Sequence, residues 1–112
     1  MDAASLDAVF GALANASRRR ILDVVKETPG CSVNHVARFF PVSRITVMKH
    51  LRLLEAAGLI LSEKQGRTRK LYFNAVPIQM IYDRWTTEYS ALWASALTRL
   101  KYRVENQEQA DG

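Results

Sequence analysis

The stretch Ser43–Gly58, SRITVMKHLRLLEAAG, decides how the rest of this sequence is read. Its first residue is an N-cap: the Ser43 hydroxyl accepts an amide hydrogen that the opening turn of a helix leaves without an intrahelical partner. Its last residue, Gly58, takes the left-handed conformation that closes a helix. Between the two, Val47, Leu51 and Leu54 fall at i, i+4 and i+7, one face to be buried against a neighbour. The opposite face carries Arg44, Thr46, Lys49 and Arg52, with Ile45 and Met48 beside them and no carboxylate among them. That face is either an ordinary solvated cationic surface or one shaped for a DNA groove. In a groove, Arg and Lys donate to guanine edges or phosphates, Thr bonds a base or a phosphate, and apolar groups meet thymine methyls. The flanking sequence decides between these.

Upstream, Ser32 caps a helix whose stripe is Val33, Val36, Ala37 and Phe40, and Pro41 stops it. Only Pro41-Val42 separates this helix from the next, so the two pack as a helix-turn-helix. Further upstream, Leu6, Val9, Phe10 and Leu13 form a first stripe with Ser5 as its cap. Ser17 caps a second helix, in which Ile21, Leu22 and Val25 point inward and which ends before Pro29-Gly30. Its first turn holds Arg18, Arg19 and Arg20, three cations at the positive end of a helix dipole. Asp23, four residues beyond Arg19, is the local counter-charge, and these arginines read as solvated or internally paired in preference to phosphate contacts.

Downstream, Leu59–Lys64 and Arg69–Ala75 are extended runs joined by Gln65-Gly66-Arg67-Thr68, a hairpin with a basic tip. Two strands alone are marginal, so the hairpin leans on the helices as a wing. Lys64, Arg67, Arg69 and Lys70 stand where they can grip phosphates, and their sign agrees with the helix face, which favours the DNA reading. From Pro77 to about Val104 no further Pro or Gly interrupts a single long helix. Its apolar set, Ile78, Ile81, Tyr82, Trp85, Tyr89, Leu92, Trp93, Ala96, Leu97 and Leu100, is wide for so small a domain to cover alone. It is read as a dimer interface. The alternatives are packing on its own domain, a cofactor box or a membrane-surface helix, the last disfavoured by its mixed charges Asp83, Arg84, Glu88 and Arg99.

The chain's 112 residues, 48% hydrophobic and 24% charged, suit one domain over 1–104, with the polar tail 105–112 left disordered. A net charge of +5 favours a polyanionic partner. One cysteine, Cys31, excludes an intrachain disulfide, and with no leader-like N-terminus and no long apolar run the expected location is cytoplasmic, away from membranes. The expected fold is mainly α with a small β-hairpin: a winged helix-turn-helix of four helices, two strands and a last helix, dimeric.

Three segments together resemble the ArsR-type winged-helix repressors of bacteria. These are ALANASRRRILDVV (Ala12–Val25), similar to the signature A-L-x-D-x-T-R-R-x-I-L, then VSRITVMKHLRLLEAAGLI (Val42–Ile60), then EKQGRTRKLYFN (Glu63–Asn74). Asn15 and Ser17 stand where the signature has Asp and Thr, and Pro41 stands where the turn has Gly or Asp. The aromatic last helix resembles the branch without metal sites, whose members often repress their own operons. The resemblance implies a homodimer built from the first and last helices, with two recognition helices entering successive major grooves of an inverted repeat. The DNA-facing set is then Ser43, Arg44, Ile45, Thr46, Met48, Lys49, His50, Arg52, Lys64, Arg67 and Arg69. His50, near the buried face, either packs or bonds a phosphate. The dimer set is Leu6, Phe10, Trp85, Tyr89, Leu92, Trp93 and Leu97.

No metal or cofactor is expected. The Cys-x-Cys of one sensor type falls on Ser32 and Asn34, and the last helix has no histidine for the other. Cys31 and His35 would supply only half of a zinc site. A thiol switch at Cys31, or a small-molecule effector, is the sensor alternative, and a winged-helix protein-interaction module is the other. An enzyme finds no support: there is no Gly-rich phosphate loop, no His-Glu-x-x-His and no Ser-His-Asp set.

Overall fold

The computed structural model describes residues 1–87 and 91–111. Its elements are α1 (Ala3–Leu13), α2 (Ala16–Glu27), α3 (Val33–Ala37), α4 (Arg44–Ala56), β1 (Ile60–Gln65), β2 (Thr68–Phe73), α5 (Val76–Thr86) and α6 (Ala91–Asp111). They group into two compact units, Met1–Ile81 and the segment from Tyr82 onward.

The first unit is built around the predicted stripes. Val47, Leu51 and Leu54 of α4 meet Val9 and Ala12 of α1, Ile21, Leu22, Val24 and Val25 of α2, and Val33 and Val36 of α3 in one core. The same core takes in Leu59, Ile60 and Leu71 from the hairpin and its lead-in. Among the described residues it contains no buried polar or charged side chain, so the interior of the unit is packed from apolar groups.

The ends of α4 are as its sequence prescribes. The Thr46 amide donates to Ser43 Oγ at 3.2 Å, and Gly58 adopts φ 76°. The Leu59 amide reaches the Leu54 carbonyl at 3.0 Å and the Gly58 amide the Glu55 carbonyl at 2.9 Å, the paired bonds of a Schellman closure. Two other caps differ from expectation. Asp2, not Ser5, caps α1, its carboxylate accepting from the Ser5 amide at 2.7 Å. A carboxylate is the stronger acceptor at a positive helix end, and this bond lowers the Asp2 pKa. Asn15, not Ser17, caps α2, accepting from the Arg18 amide at 3.0 Å.

The predicted third helix is shorter than expected. It ends at Ala37, and the amides of Phe39 and Phe40 turn back to the carbonyls of Val36 and Ala37, because the residue before Pro41 is kept out of helical geometry. The hairpin pairs Ile60 with Phe73 through to Gln65 with Thr68, one residue later at its start and two shorter at its end than the sequence suggests. Gly66, at φ 63°, takes the first position of a two-residue turn. β2 also pairs on its other edge: the Gly30 amide donates to the Leu71 carbonyl at 2.8 Å and the Leu71 amide to the Cys31 carbonyl at 2.9 Å. This tie to the α2–α3 junction steadies a wing in which Ile60 is the only buried residue of β1.

The long last helix is described as two helices. α5 ends at Thr86, where the hydroxyls of Thr86 and Thr87 bond back to the carbonyls of Tyr82 and Asp83, a competition that weakens helix propagation. Glu88 and Tyr89 lie outside the described residues. At the other end, α6 does not stop near Val104 to leave a tail but continues to Asp111. Residues 105–111 contain no Pro or Gly, and Glu105 sits 3.9 Å from Lys101 across one helical turn.

Leu54 is fully buried, so Leu54→Ala is expected to destabilise the first unit by about 2–5 kcal/mol, read from urea unfolding. A loss under about 1 kcal/mol would mean that α4 is not seated on this core.

Candidate nucleic-acid interface

Because Val47, Leu51 and Leu54 are 1%, 2% and 0% exposed, the rest of α4 must turn outward. Helical geometry sorts its other residues into three strips. Ile45, Lys49 and Arg52 are exposed on the outermost strip, with Ile45 at 70%. Arg44 and Met48 lie on the side facing the wing. Thr46 and half-buried His50 lie on the side facing α2. The predicted DNA-facing residues of α4 are therefore brought together on one surface, but not all at its crest.

On the wing side a cleft of about 300 Å³ is lined by Ser32, Val33, Asn34, Arg44, Met48, Lys64, Arg67, Thr68 and Arg69. The hairpin register explains why these cations converge: Lys64 and Arg69 are direct cross-strand partners on the face turned toward the core, with Ile60, Leu71 and Phe73. Like charges so placed repel. Glu55 offsets this only weakly, its carboxylate 3.8 Å from Arg69 Nη1 in a half-exposed ion pair. Lys70 belongs to the opposite face, paired across the strands with Glu63, and does not join the cluster. Arg44 is tethered, its Nε donating to Asn34 Oδ1 at 3.0 Å. Asn34 thus sets where the first cation of α4 points, a role hidden in sequence because the two residues are ten apart on different helices.

On the other side of α4 a second cleft, of about 370 Å³, is lined by Ala16, Ser17, Arg20, Phe40, Pro41, Val42, Thr46 and His50. Arg20 lines this cleft, and each of the three arginines of α2 has a partner other than Asp23. Arg18 donates from Nε to the Ala12 carbonyl at 2.9 Å and from Nη2 to the Gly11 carbonyl at 3.1 Å. Arg19 donates to the Leu13 carbonyl at 2.7 Å. Both cap the negative end of α1, which offsets the unfavourable dipole at the start of their own helix. Arg20 stacks over the Phe40 ring at 5.3 Å. The third Arg18 nitrogen, Nη1, lies 3.4 Å from His50 Nδ1.

Cys31 is buried, and that desolvation pushes its thiol pKa up, opposite to what a thiolate switch requires. The His35 ring packs edge-on against Phe39 at 5.4 Å. Among the described residues no group of three or more His, Cys, Asp or Glu is arranged to hold a metal ion. Nor is any described helix long and apolar enough to cross a membrane.

The predicted dimer residues are exposed to very different degrees. Phe10 is 44% exposed, Trp85 55%, Leu92 75%, Trp93 60% and Leu97 42%, while Leu6 is half-buried and Tyr89 lies outside the described residues. Among residues 92–108 of α6 only Ala96 is even half-buried.

Comparison with known proteins gives a consistent answer. A family model described as a helix-turn-helix domain matches residues 13–63, which run from the end of α1 through α4 into the wing. The HTH-type transcriptional regulator Rv2034 of Mycobacterium tuberculosis is 32% identical over 103 residues, 92% of each chain. The uncharacterized HTH-type transcriptional regulator YuzN of Bacillus subtilis is 33% identical over 85 residues, 70% of this chain and 92% of its own. Among solved structures, the ArsR family transcriptional regulator RHA00566 superposes with a TM-score of 0.69 at 32% identity, covering 85% of this chain and 96% of its own. An ArsR-like transcriptional regulator from Rhodococcus sp. RHA1 superposes at 0.61 with 28% identity, covering 96% and 89%. A capped, cation-faced helix set against a basic wing, on a fold shared with these regulators, places this chain in the ArsR family of DNA-binding, winged helix-turn-helix transcriptional regulators.

Proposed function

We propose that this regulator is a homodimeric, cytoplasmic repressor that binds an inverted-repeat operator and belongs to the branch without metal sensing. The observation that supports it best is the cation cluster between α4 and the wing: Arg44, Lys64, Arg67 and Arg69 converge on one cleft, and the cross-strand pair Lys64 and Arg69 is relieved once a phosphate lies between them. The outermost strip of α4 reads the bases, Lys49 by donating to guanine or phosphate and Ile45 by contact with a thymine methyl. Arg44, held by Asn34 on the wing side, works at the edge of the groove.

Dimerisation is supported by the apolar exposure of α6. Leu92, Trp93 and Leu97 present large side chains to solvent within the single chain, and burying two such faces yields about 25 cal/mol per Å² before association entropy is subtracted. A twofold dimer then carries two recognition helices, and its half-sites fall about one DNA turn apart. Repression of its own operon fits the same assembly. Metal-independent control is favoured by Ser32 and Asn34, which leave no soft ligand pair in α3.

Selection from random DNA, followed by gel shift of the selected duplex at two salt concentrations, tests the proposal. An inverted repeat should emerge, with binding that weakens steeply as salt rises. A single half-site bound as tightly as the full repeat would contradict the dimer, and no binding at low salt would favour a protein-interaction module. Ile45→Ala and Lys49→Ala are expected to relax base preference, at a cost of about 1–3 kcal/mol wherever the removed side chain pairs well with a base. Arg67→Ala and Arg69→Ala should weaken all sequences alike and flatten the salt dependence. A reversed pattern would exchange the roles of helix and wing. Trp93→Asp should yield a folded monomer by sedimentation and circular dichroism, with reduced operator affinity although no DNA-facing residue has changed. A dimeric Trp93→Asp protein with normal binding would place Trp93 outside the interface.

A further inference from the structure

An arginine can only donate hydrogen bonds, so its contact with a histidine decides which ring nitrogen holds the proton. Arg18 Nη1 stands 3.4 Å from His50 Nδ1, and a bond between them requires Nδ1 to accept. The neutral ring must then carry its hydrogen on Nε2. Arg18 is itself fixed, because its Nε and Nη2 are bound to the carbonyls of Ala12 and Gly11 at the end of α1. His50 has no second hydrogen bond among the described residues. Its other ring nitrogen is not fully buried, since no buried side-chain nitrogen or oxygen among those residues lacks a partner.

We infer that Arg18 is a positioning residue that fixes the His50 tautomer, making His50 an N–H donor to a DNA phosphate on the flank of α4 opposite the wing. This deepens the DNA-binding proposal and rests on it. The setting selects a phosphate over a base. His50 lies in the second turn of α4, off the outermost strip, in a cleft whose lining also includes Thr46, Ser17 and Arg20. The lining residues include two that carry hydroxyls, one cation and no carboxylate, a set that suits an anionic oxygen. A helix lying in a major groove has one phosphate backbone on each side. The wing cleft serves one, and the cleft at His50 serves the other. The guanidinium of Arg18, one atom shell behind the ring, polarises it toward donation.

Two measurements test this. Nitrogen NMR of the imidazole in the unaltered protein, at a pH where His50 is neutral, should show Nε2 protonated and Nδ1 bare. A ring protonated on Nδ1, or a fast mixture of tautomers, would overturn the role of Arg18. In Arg18→Met, checked by circular dichroism, the ring should revert to a mixture, and an unchanged Nε2–H signature would also overturn it. In titrations of the selected duplex and of a scrambled one, His50→Ala should lose about tenfold on both, with no change in salt slope, since a neutral donor displaces no counterion. His50→Gln, whose amide nitrogen stands near the place of Nε2, should recover most of that loss, and His50→Asn should not. Equal behaviour of the Gln and Asn variants, or a loss confined to the selected duplex, would overturn the phosphate contact. If the unaltered protein bound no DNA at all, the DNA proposal itself would fall, while the tautomer measurement would still judge Arg18.

Discussion

Burial of Val47, Leu51 and Leu54 is the constraint on which the rest of this structure depends. Each of these side chains contributes about 1.5–3 kcal/mol when taken out of water, and all three are on one face of α4. Once they are seated, the helix cannot rotate without exposing them, so the orientation of every other α4 side chain follows. Ile45, Lys49 and Arg52 turn to solvent not through any preference of their own but because the opposite face is committed. The Schellman closure at Gly58 then turns the chain sharply enough for Leu59 and Ile60 to enter the same core, which sets where the wing begins.

Charge is arranged on this frame in two different ways. In α2, cations that would be unfavourable at a helix start are directed backwards to the carbonyl end of α1, so Arg18 and Arg19 are structural and satisfied. In the wing, by contrast, Lys64 and Arg69 face each other across the strands, and among the described residues their ion pairing is limited to Arg69 with Glu55. Cations bound to carbonyls tie α2 to α1, and the weakly compensated wing cluster is where an external anion gains most. That contrast, more than net charge, separates the residues suited to DNA from those that serve the fold.

Much of this is legible in sequence, and the parts that are not share a cause. Local signals carry well: the Ser43 cap, the Gly58 closure, the i, i+4, i+7 stripe and the hairpin turn at Gly66 all rest on residues within one helical turn or one loop of each other. The ArsR resemblance draws on the same segments. Contacts between elements are not legible. Arg18 reaching back to α1 and across to His50, Asn34 holding Arg44, and Cys31 pairing with Leu71 each depend on packing that no local pattern encodes. Caps are misread where two candidates stand close together, Asp2 against Ser5 and Asn15 against Ser17, since either residue type can serve and tertiary geometry chooses. The last helix reads as too long at one point and too short at another. Thr86 and Thr87 carry hydroxyls that bond back to the backbone, and the polar residues after Val104 are good helix formers despite having little to bury.

In the proposed mode of binding, α4 and the wing together form one DNA-binding surface oriented by the α4 core stripe. Mapping backbone amide shifts by NMR while a duplex is titrated into the full chain tests it most directly. The largest changes should fall on Ser43–Arg52 and Lys64–Arg69, with Val47, Leu51 and Leu54 remaining protected from hydrogen exchange throughout. Large changes elsewhere with the α4 and wing amides unmoved, or loss of protection at the stripe on binding, would contradict it.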